Sequence, residues 1–252
     1  MGRQVGVLPL TGKVGGLSFF KSKSGYQVRM KGGVSADRIR TDPAYQRTRE
    51  NGQEFGRAGR ATRLLRTAFR SVLLKSADPF LTSRMSREML KVIQADTVNP
   101  RGARVVQGPN TLLLQGFEFN DAAKMAGTFF APYDTVIDRV TGTLTVSIPS
   151  FTPQNMIAAP AGATHAQLVG AGAEVNFADS NFVAGISQSE LFALDAQPLQ
   201  DITLAMALPV NSTWPLFMSF GIAFYQVVNG VSYPLNNGAF NALSLVKIDG
   251  GA

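Results

Sequence analysis

Five arginines recur every three or four residues in one segment of this 252-residue chain: Arg57, Arg60, Arg63, Arg66 and Arg70. At 100° per residue, the last four share one helix face, about 120° wide, and Arg57 lies at its boundary. Guanidinium groups bind carboxylates and phosphates through paired hydrogen bonds, so this face could bind a protein partner or a nucleic acid. A solvated face on an ordinary amphipathic helix is the simpler interpretation.

A second group of candidate partner-binding residues lies in residues 17–30. Two short strand-like runs, 17–21 and 26–30, flank Ser22-Lys23-Ser24-Gly25, which predicts a β-hairpin. Aromatic and basic residues alternate along it, as in grooves that bind single-stranded nucleic acid; these are Phe19, Phe20, Tyr26 and Arg29. An isolated hairpin is marginal in water, so we expect it to pair with the rest of the chain or with a neighbouring subunit.

Several catalytic chemistries lack their residues. The chain has no cysteine, and His165 is its only histidine, which excludes thiolate sites and the common zinc sites. We find neither a Gly-x-Ser-x-Gly nucleophile motif nor a phosphate-binding loop. Carboxylates are scattered, without the spacing of a calcium loop. We therefore predict a non-enzymatic protein with no catalytic residues, metal or cofactor.

Charge divides the chain into two parts. Residues 1–105 hold 21 Lys and Arg against 7 Asp and Glu, a balance of +14, whereas residues 106–252 hold 3 against 10, a balance of −7. The turn signal Asn99-Pro100-Arg101-Gly102 lies near this change. We predict a basic hairpin and helical arm over 1–105 and an acidic β-sandwich domain over 106–252.

Local patterns predict an α+β fold. Thr41-Asp42-Pro43 begins a helix to about Lys75, and Asp78-Pro79 begins another to about Gln94. Helical spacing predicts one apolar face on each: Ala58, Ala61, Leu65, Ala68, Phe69 and Val72 on the first, and Leu81, Met85, Met89 and Val92 on the second. From Thr111 onward, eight strand-like runs separated by turns predict an antiparallel sandwich, with an immunoglobulin-like topology first and a jelly roll as the alternative. Asn229-Gly230 is the strongest hairpin signal, because a type I′ turn needs two positive φ angles.

Three segments resemble a family of proteins abundant in Bacteroidota genomes that has no assigned activity. They are the Gly-rich basic hairpin (residues 11–29), the segment 41–58 and the closing run 221–235. The resemblance implies a bacterial source and the order hairpin, Arg-rich helix, C-terminal sandwich. It implies no functional residue.

These observations predict a structural protein that assembles with itself into a filament, tube or particle. The basic arm of one copy would bind the acidic half of the next, and the hairpin would add strands. One alternative is a nucleic-acid-binding protein using the Arg face; another is a sandwich-based ligand-binding module, with Trp214 as a stacking platform or simply a core or rim aromatic. No signal peptide or membrane span is apparent, so we expect a cytoplasmic protein without a membrane partner.

Overall fold

The computed structural model describes residues 2–6, 8–30 and 32–251, without the side chains of residues 236 and 237. Its internal contacts divide the chain into two compact units, one up to Arg49 and one from Glu50 onward. The charge boundary near residue 105 does not coincide with this division. The limits 1–105 and 106–252 therefore stay a prediction about domain organisation.

The first unit contains a four-stranded antiparallel sheet in the order β1-β4-β3-β2. Its elements are β1 (Gly2–Arg3), β2 (Gly12–Val14), β3 (Leu17–Ser22), β4 (Gly25–Met30), α1 (Ala36–Thr41) and a 3₁₀ turn (Pro43–Tyr45). The predicted hairpin is confirmed as β3 and β4, with Ser22 opposite Gly25. It does not stand alone, because β1 pairs with part of β4 and β2 with part of β3.

Three helices follow: α2 (Gln46–Ala68), which crosses the division between the units, α3 (Arg70–Ser76) and α4 (Leu81–Gln94). The predicted apolar faces are confirmed. Buried side chains on α2 and α3 include Ala58, Ala61, Leu65, Ala68 and Val72, and those on α4 include Leu81, Met85, Met89 and Val92. The predicted single helix to Lys75 is wrong at one point, because Phe69 leaves helical geometry (ψ 11°) and separates α2 from α3.

The second unit also contains two antiparallel sheets, which form a β-sandwich-like arrangement. Their strands are β5 (Asp134–Asp138), β6 (Thr143–Ile148), β7 (His165–Asn176), β8 (Asn181–Gln188), β9 (Phe192–Ala193), β10 (Ile202–Ala207), β11 (Leu216–Val228), β12 (Val231–Pro234) and β13 (Ala242–Asp249). A short helix, α5 (Pro153–Met156), lies between β6 and β7. One sheet has the order β10-β6-β5; in the other, β12-β11-β7-β8, β13 also pairs with β11 and β9 with β7.

The larger sheet lies between two apolar cores. On one side, Val169, Ala171 and Ala173 of β7 join the core formed with the helices. On the other side, residues such as Leu168 and Phe220 join the core formed with β6 and β10. Because alternate residues of a strand face opposite sides and both sides are covered, residues 168–173 of β7 and 216–224 of β11 are apolar except for Ser219. The molecule around this sheet is therefore layered as helices, sheet and smaller sheet.

Two predictions about turns and strands had different outcomes. The Asn229-Gly230 turn is confirmed, with φ of 51° and 78° between β11 and β12. The predicted strand over 111–119 is wrong at its start, where Pro109–Leu114 forms a 3₁₀ helix with Leu114 buried and Leu112 exposed. Only its end behaves as a strand, since the backbones of Phe117 and Phe119 hydrogen-bond to β13.

Glycine in the centre of β11 allows the closest strand contact in the larger sheet. A Cβ at Gly221 would lie 2.3 Å from the backbone oxygen of Ala242, whereas one at Gly59, on the exposed side of α2, would meet nothing within 4 Å. We expect Gly221→Ala to destabilise the protein by about 1–3 kcal/mol, because a backbone oxygen cannot rotate away. Gly59→Ala should stabilise it by roughly 0.5–1 kcal/mol through helix propensity. Urea denaturation of both variants measures this, and equal effects would contradict the expected packing.

Candidate functional site

The five predicted arginines do not share one environment. Arg60, Arg63 and Arg70 are exposed, whereas Arg57 and Arg66 are half-buried. Arg57 donates from Nη1 to the backbone oxygen of Gly102 at 2.6 Å. The Nε of Arg66 is buried without a hydrogen-bond partner among the described residues. Among the described residues, the face therefore combines three exposed arginines with two half-buried ones, of which Arg57 is held by a hydrogen bond.

A loop after α4 organises the region around Arg57. Asp96 is buried, and its carboxylate accepts hydrogen bonds from the backbone N–H groups of Val98, Asn99 and Val105 and from the Asn99 side chain, at 2.8–3.2 Å. Burial alone would raise the pKa of Asp96, but these hydrogen bonds outweigh it and hold the pKa far below its ordinary value. Asp96 is thus an ionised anchor for residues 97–105.

A second buried carboxylate joins this loop to α2. Glu54 is only 1% exposed and accepts a hydrogen bond from the Gly102 N–H at 2.8 Å. Two further arginines approach the helix from the loop: Arg104 lies 4.0 Å from Glu54, and Arg101 lies 3.7 Å from Glu50. Sequence reasoning missed Arg101 and Arg104 as parts of this cluster, because only the fold of the loop brings them to α2.

A groove lies beside this cluster, between α2 and the turn from β7 to β8. Its volume is about 320 Å³. The residues that line the groove include Arg57 and Arg60 and the apolar residues Leu64, Val106 and Phe177. Arg63, Arg66 and Arg70 are not among its lining residues. The geometry therefore separates two of the predicted arginines from the rest.

The four predicted hairpin residues lie on two opposite faces of the first unit's sheet. Phe19 is opposite Val28, and Tyr26 is opposite Lys21, whose Nζ lies 5.6 Å from the ring centre. Phe20 belongs to the other face, where the guanidinium of Arg29 lies 5.3 Å from its ring. Phe19, Phe20, Tyr26 and Arg29 thus do not form one continuous stacking surface.

One of these two faces is apolar except for Lys21 at the turn end, and it is poorly covered. It carries Phe19 and Val28 at its centre, with Val14, Leu17 and Met30 beside them at 64%, 40% and 78% exposure. None of the described residues up to Arg49 is fully buried. A sheet of this kind gains little from burial of apolar surface, which is the main driving force of folding. The first unit therefore presents an apolar sheet face without a core of its own.

A separate cleft in the second unit contains two groups with shifted titration. Glu118 and Tyr133 both line a cavity of about 560 Å³ together with Met125 and Phe129. Burial raises the pKa of the Glu118 carboxyl, although the Met125 N–H donates to its Oε1 at 3.2 Å. Burial, followed by the charge of Glu118, raises the pKa of the Tyr133 phenol. No sequence motif linked these residues, since they lie on a loop segment and just before β5.

The remaining candidates make ordinary contacts. His165 lies beside the Thr164 hydroxyl, with 2.9 Å between Nδ1 and Oγ1, and Trp214 is 41% exposed at the rim of the second unit. Among the residues that the structure describes, no three His, Cys, Asp or Glu side chains come together as a metal site. In the same part of the chain, no helix combines the length and hydrophobicity of a membrane span.

Comparisons with models of known protein families, with curated proteins and with solved structures found no match.

The loop anchored by Asp96 gives a test with a defined pH dependence. We expect Asp96→Ala to destabilise the protein by about 2–3 kcal/mol at pH 7, because three backbone N–H groups lose their acceptor. The folded pKa is depressed, so the stabilisation is present above the ordinary value of 3.8 and is lost as the pH falls below it. Urea denaturation between pH 3 and 7 checks this, and an Asp96→Ala penalty that stays constant over the range would contradict it.

Proposed function

We propose that this protein is a non-enzymatic structural subunit that assembles with copies of itself through the apolar sheet face of its first unit. The observation that carries the proposal is that face, formed by Val14, Leu17, Phe19, Val28 and Met30, in a unit without a fully buried residue among those described. Exposed apolar surface of this kind is typical of protein interaction sites.

The charges of the chain favour the acidic half of a second copy as the surface that binds this sheet face. Residues 1–49 contain 10 Lys and Arg against 2 Asp and Glu, a balance of +8, whereas residues 106–252 have a balance of −7. Two first units facing each other would place +8 against +8, which opposes a symmetric contact. A contact between different surfaces of two copies repeats from subunit to subunit, so it produces a ring or a filament.

Two adjacent residues of β3 allow a matched test. Leu17 lies on the apolar face, and Ser18, opposite Arg29, lies on the other. We expect Leu17→Glu to weaken self-association at least about tenfold, because a carboxylate would be buried in the contact. Ser18→Glu places the same charge one residue away and should retain assembly. Sedimentation velocity and electron microscopy of nuclease-treated protein across salt and concentration measure the outcome.

Two results would overturn the proposal. One is a wild-type protein that stays a monodisperse monomer at every salt and concentration. The other is an equal loss of assembly in both variants, with circular dichroism showing that both are folded. The second result would indicate that added negative charge, rather than the apolar face, controls assembly.

Nucleic-acid binding is a second candidate, favoured by the exposed cations of α2 and α3. Arg60, Arg63 and Arg70 have no carboxylate partner among the described residues. If they contact phosphates, the logarithm of the binding constant for a single-stranded oligonucleotide should fall linearly with the logarithm of the salt concentration. Replacing all three arginines by Gln should reduce the steepness of that slope by roughly 2. Fluorescence anisotropy measures this. Arg87→Gln is the control, since Arg87 pairs with Glu88; a slope unchanged by the triple variant would exclude this surface.

We also infer an immunoglobulin-like topology for the sandwich, with a jelly roll as the alternative. The two stacked antiparallel sheets of the second unit support a sandwich of this general kind. An experimental structure compared strand by strand with both topologies would decide between them. The assembly proposal depends on the first unit's sheet face and not on this topology.

A further inference from the structure

The groove beside α2 is lined by two arginines that pair with no carboxylate among the described residues. Arg57 is held by a neutral backbone oxygen, that of Gly102, so its charge has no carboxylate partner among the described residues. Arg60 makes no hydrogen bond or ion pair with any described side chain, and it is exposed. Two guanidinium groups one helical turn apart therefore face the same space.

Two carboxylates in the segments that form the groove have other partners. Glu54, on the same helix, is buried and accepts from the Gly102 N–H. Asp179 adjoins the lining residues Ala178 and Ser180 in sequence, but its carboxylate accepts from the Asn176 side chain at 2.8 Å. None of the described residues that line the groove is acidic. The groove is thus arranged to attract an anion from outside the chain.

Apart from Ser180, the other residues that line the groove are apolar. Phe177 packs edge-on against the buried Phe217, with 6.1 Å between ring centres, and Leu64 and Val106 also pack against the helix-side core. These contacts hold the apolar wall in place without a ligand. A volume of about 320 Å³ is near the lower end for small-molecule sites, so it suits a compact ligand.

We propose that this groove binds a small amphipathic anion: a carboxylate or phosphate head held by Arg57 and Arg60, on an aromatic or short aliphatic body that contacts Phe177. Guanidinium groups pair with both kinds of head in the same planar geometry. Arg57 is already oriented by its bond to Gly102, which lowers the entropy cost of binding. This site is independent of the sheet face proposed for assembly.

The test titrates the full-length protein with defined probes by isothermal calorimetry. 3-Phenylpropionate and 2-phenylethyl phosphate carry the two heads on the same phenylethyl body. Acetate and inorganic phosphate carry the head alone, and 3-phenylpropanamide carries the body alone. We expect at least one complete probe to bind and the three partial probes to bind at least about tenfold more weakly, because head and body contacts both contribute. The stronger of the two complete probes identifies the head group.

Variants on one helix locate the binding. Arg60→Gln should weaken the complete probe about tenfold, since a charge-assisted hydrogen bond is lost. Arg63→Gln removes the same charge from the next turn of α2, outside the groove, and should leave binding within about twofold. Both arginines are exposed, so neither change should disturb folding.

Two results would overturn the proposal. One is the absence of heat and of amide chemical-shift changes at Phe177 and Ala178 with either complete probe at millimolar concentration. The other is equal weakening by Arg60→Gln and Arg63→Gln, which would indicate attraction to the overall positive helix and not binding in the groove. Neither result depends on whether the protein assembles.

Discussion

The pairing of β7 with β11 is the interaction on which the second unit depends. Ten consecutive residue pairs join them, from Leu216 opposite Glu174 to Tyr225 opposite His165. Both strands are covered on both faces, so each layer of the molecule is attached to the same pair. Close approach of the smaller sheet requires Gly170 and Gly172, where a Cβ would lie within 3 Å of Met206 or Leu144. The helix layer, and with it the Arg-lined groove, is positioned by this central sheet.

Buried carboxylates shape the basic surface without neutralising all of it. Asp96 and Glu54 direct their oxygens at backbone N–H groups of one loop, so much of their hydrogen-bonding capacity serves the fold. That loop in turn offers a backbone oxygen, not a carboxylate, to Arg57. A neutral partner fixes the direction of a guanidinium but leaves its charge intact. The result is an oriented cation beside an apolar wall.

Local patterns predicted what depends on neighbours in sequence: the buried face of α2, the Leu–Met–Met–Val stripe of α4 and the Asn229-Gly230 turn. The Arg face was also predicted as a set of residues. Its division by the groove was not, because Val106 and Phe177 reach α2 only through long-range packing. Alternation along β3 and β4 already implied that Phe19 and Phe20 face opposite sides. No sequence pattern indicated Glu118 and Tyr133, since the raised pKa of each depends mainly on burial in the folded chain.

The order of strands has a consequence for synthesis on the ribosome. The helices α2 to α4 are complete by Gln94, but the strands that cover their apolar side, β7, β11 and β13, end at Asn176, Val228 and Asp249. The emerging chain therefore carries an uncovered helical surface while about 150 further residues are translated, which takes roughly 8–30 s at about 5–20 residues per second. Apolar surface exposed for that interval makes an incomplete chain prone to aggregate.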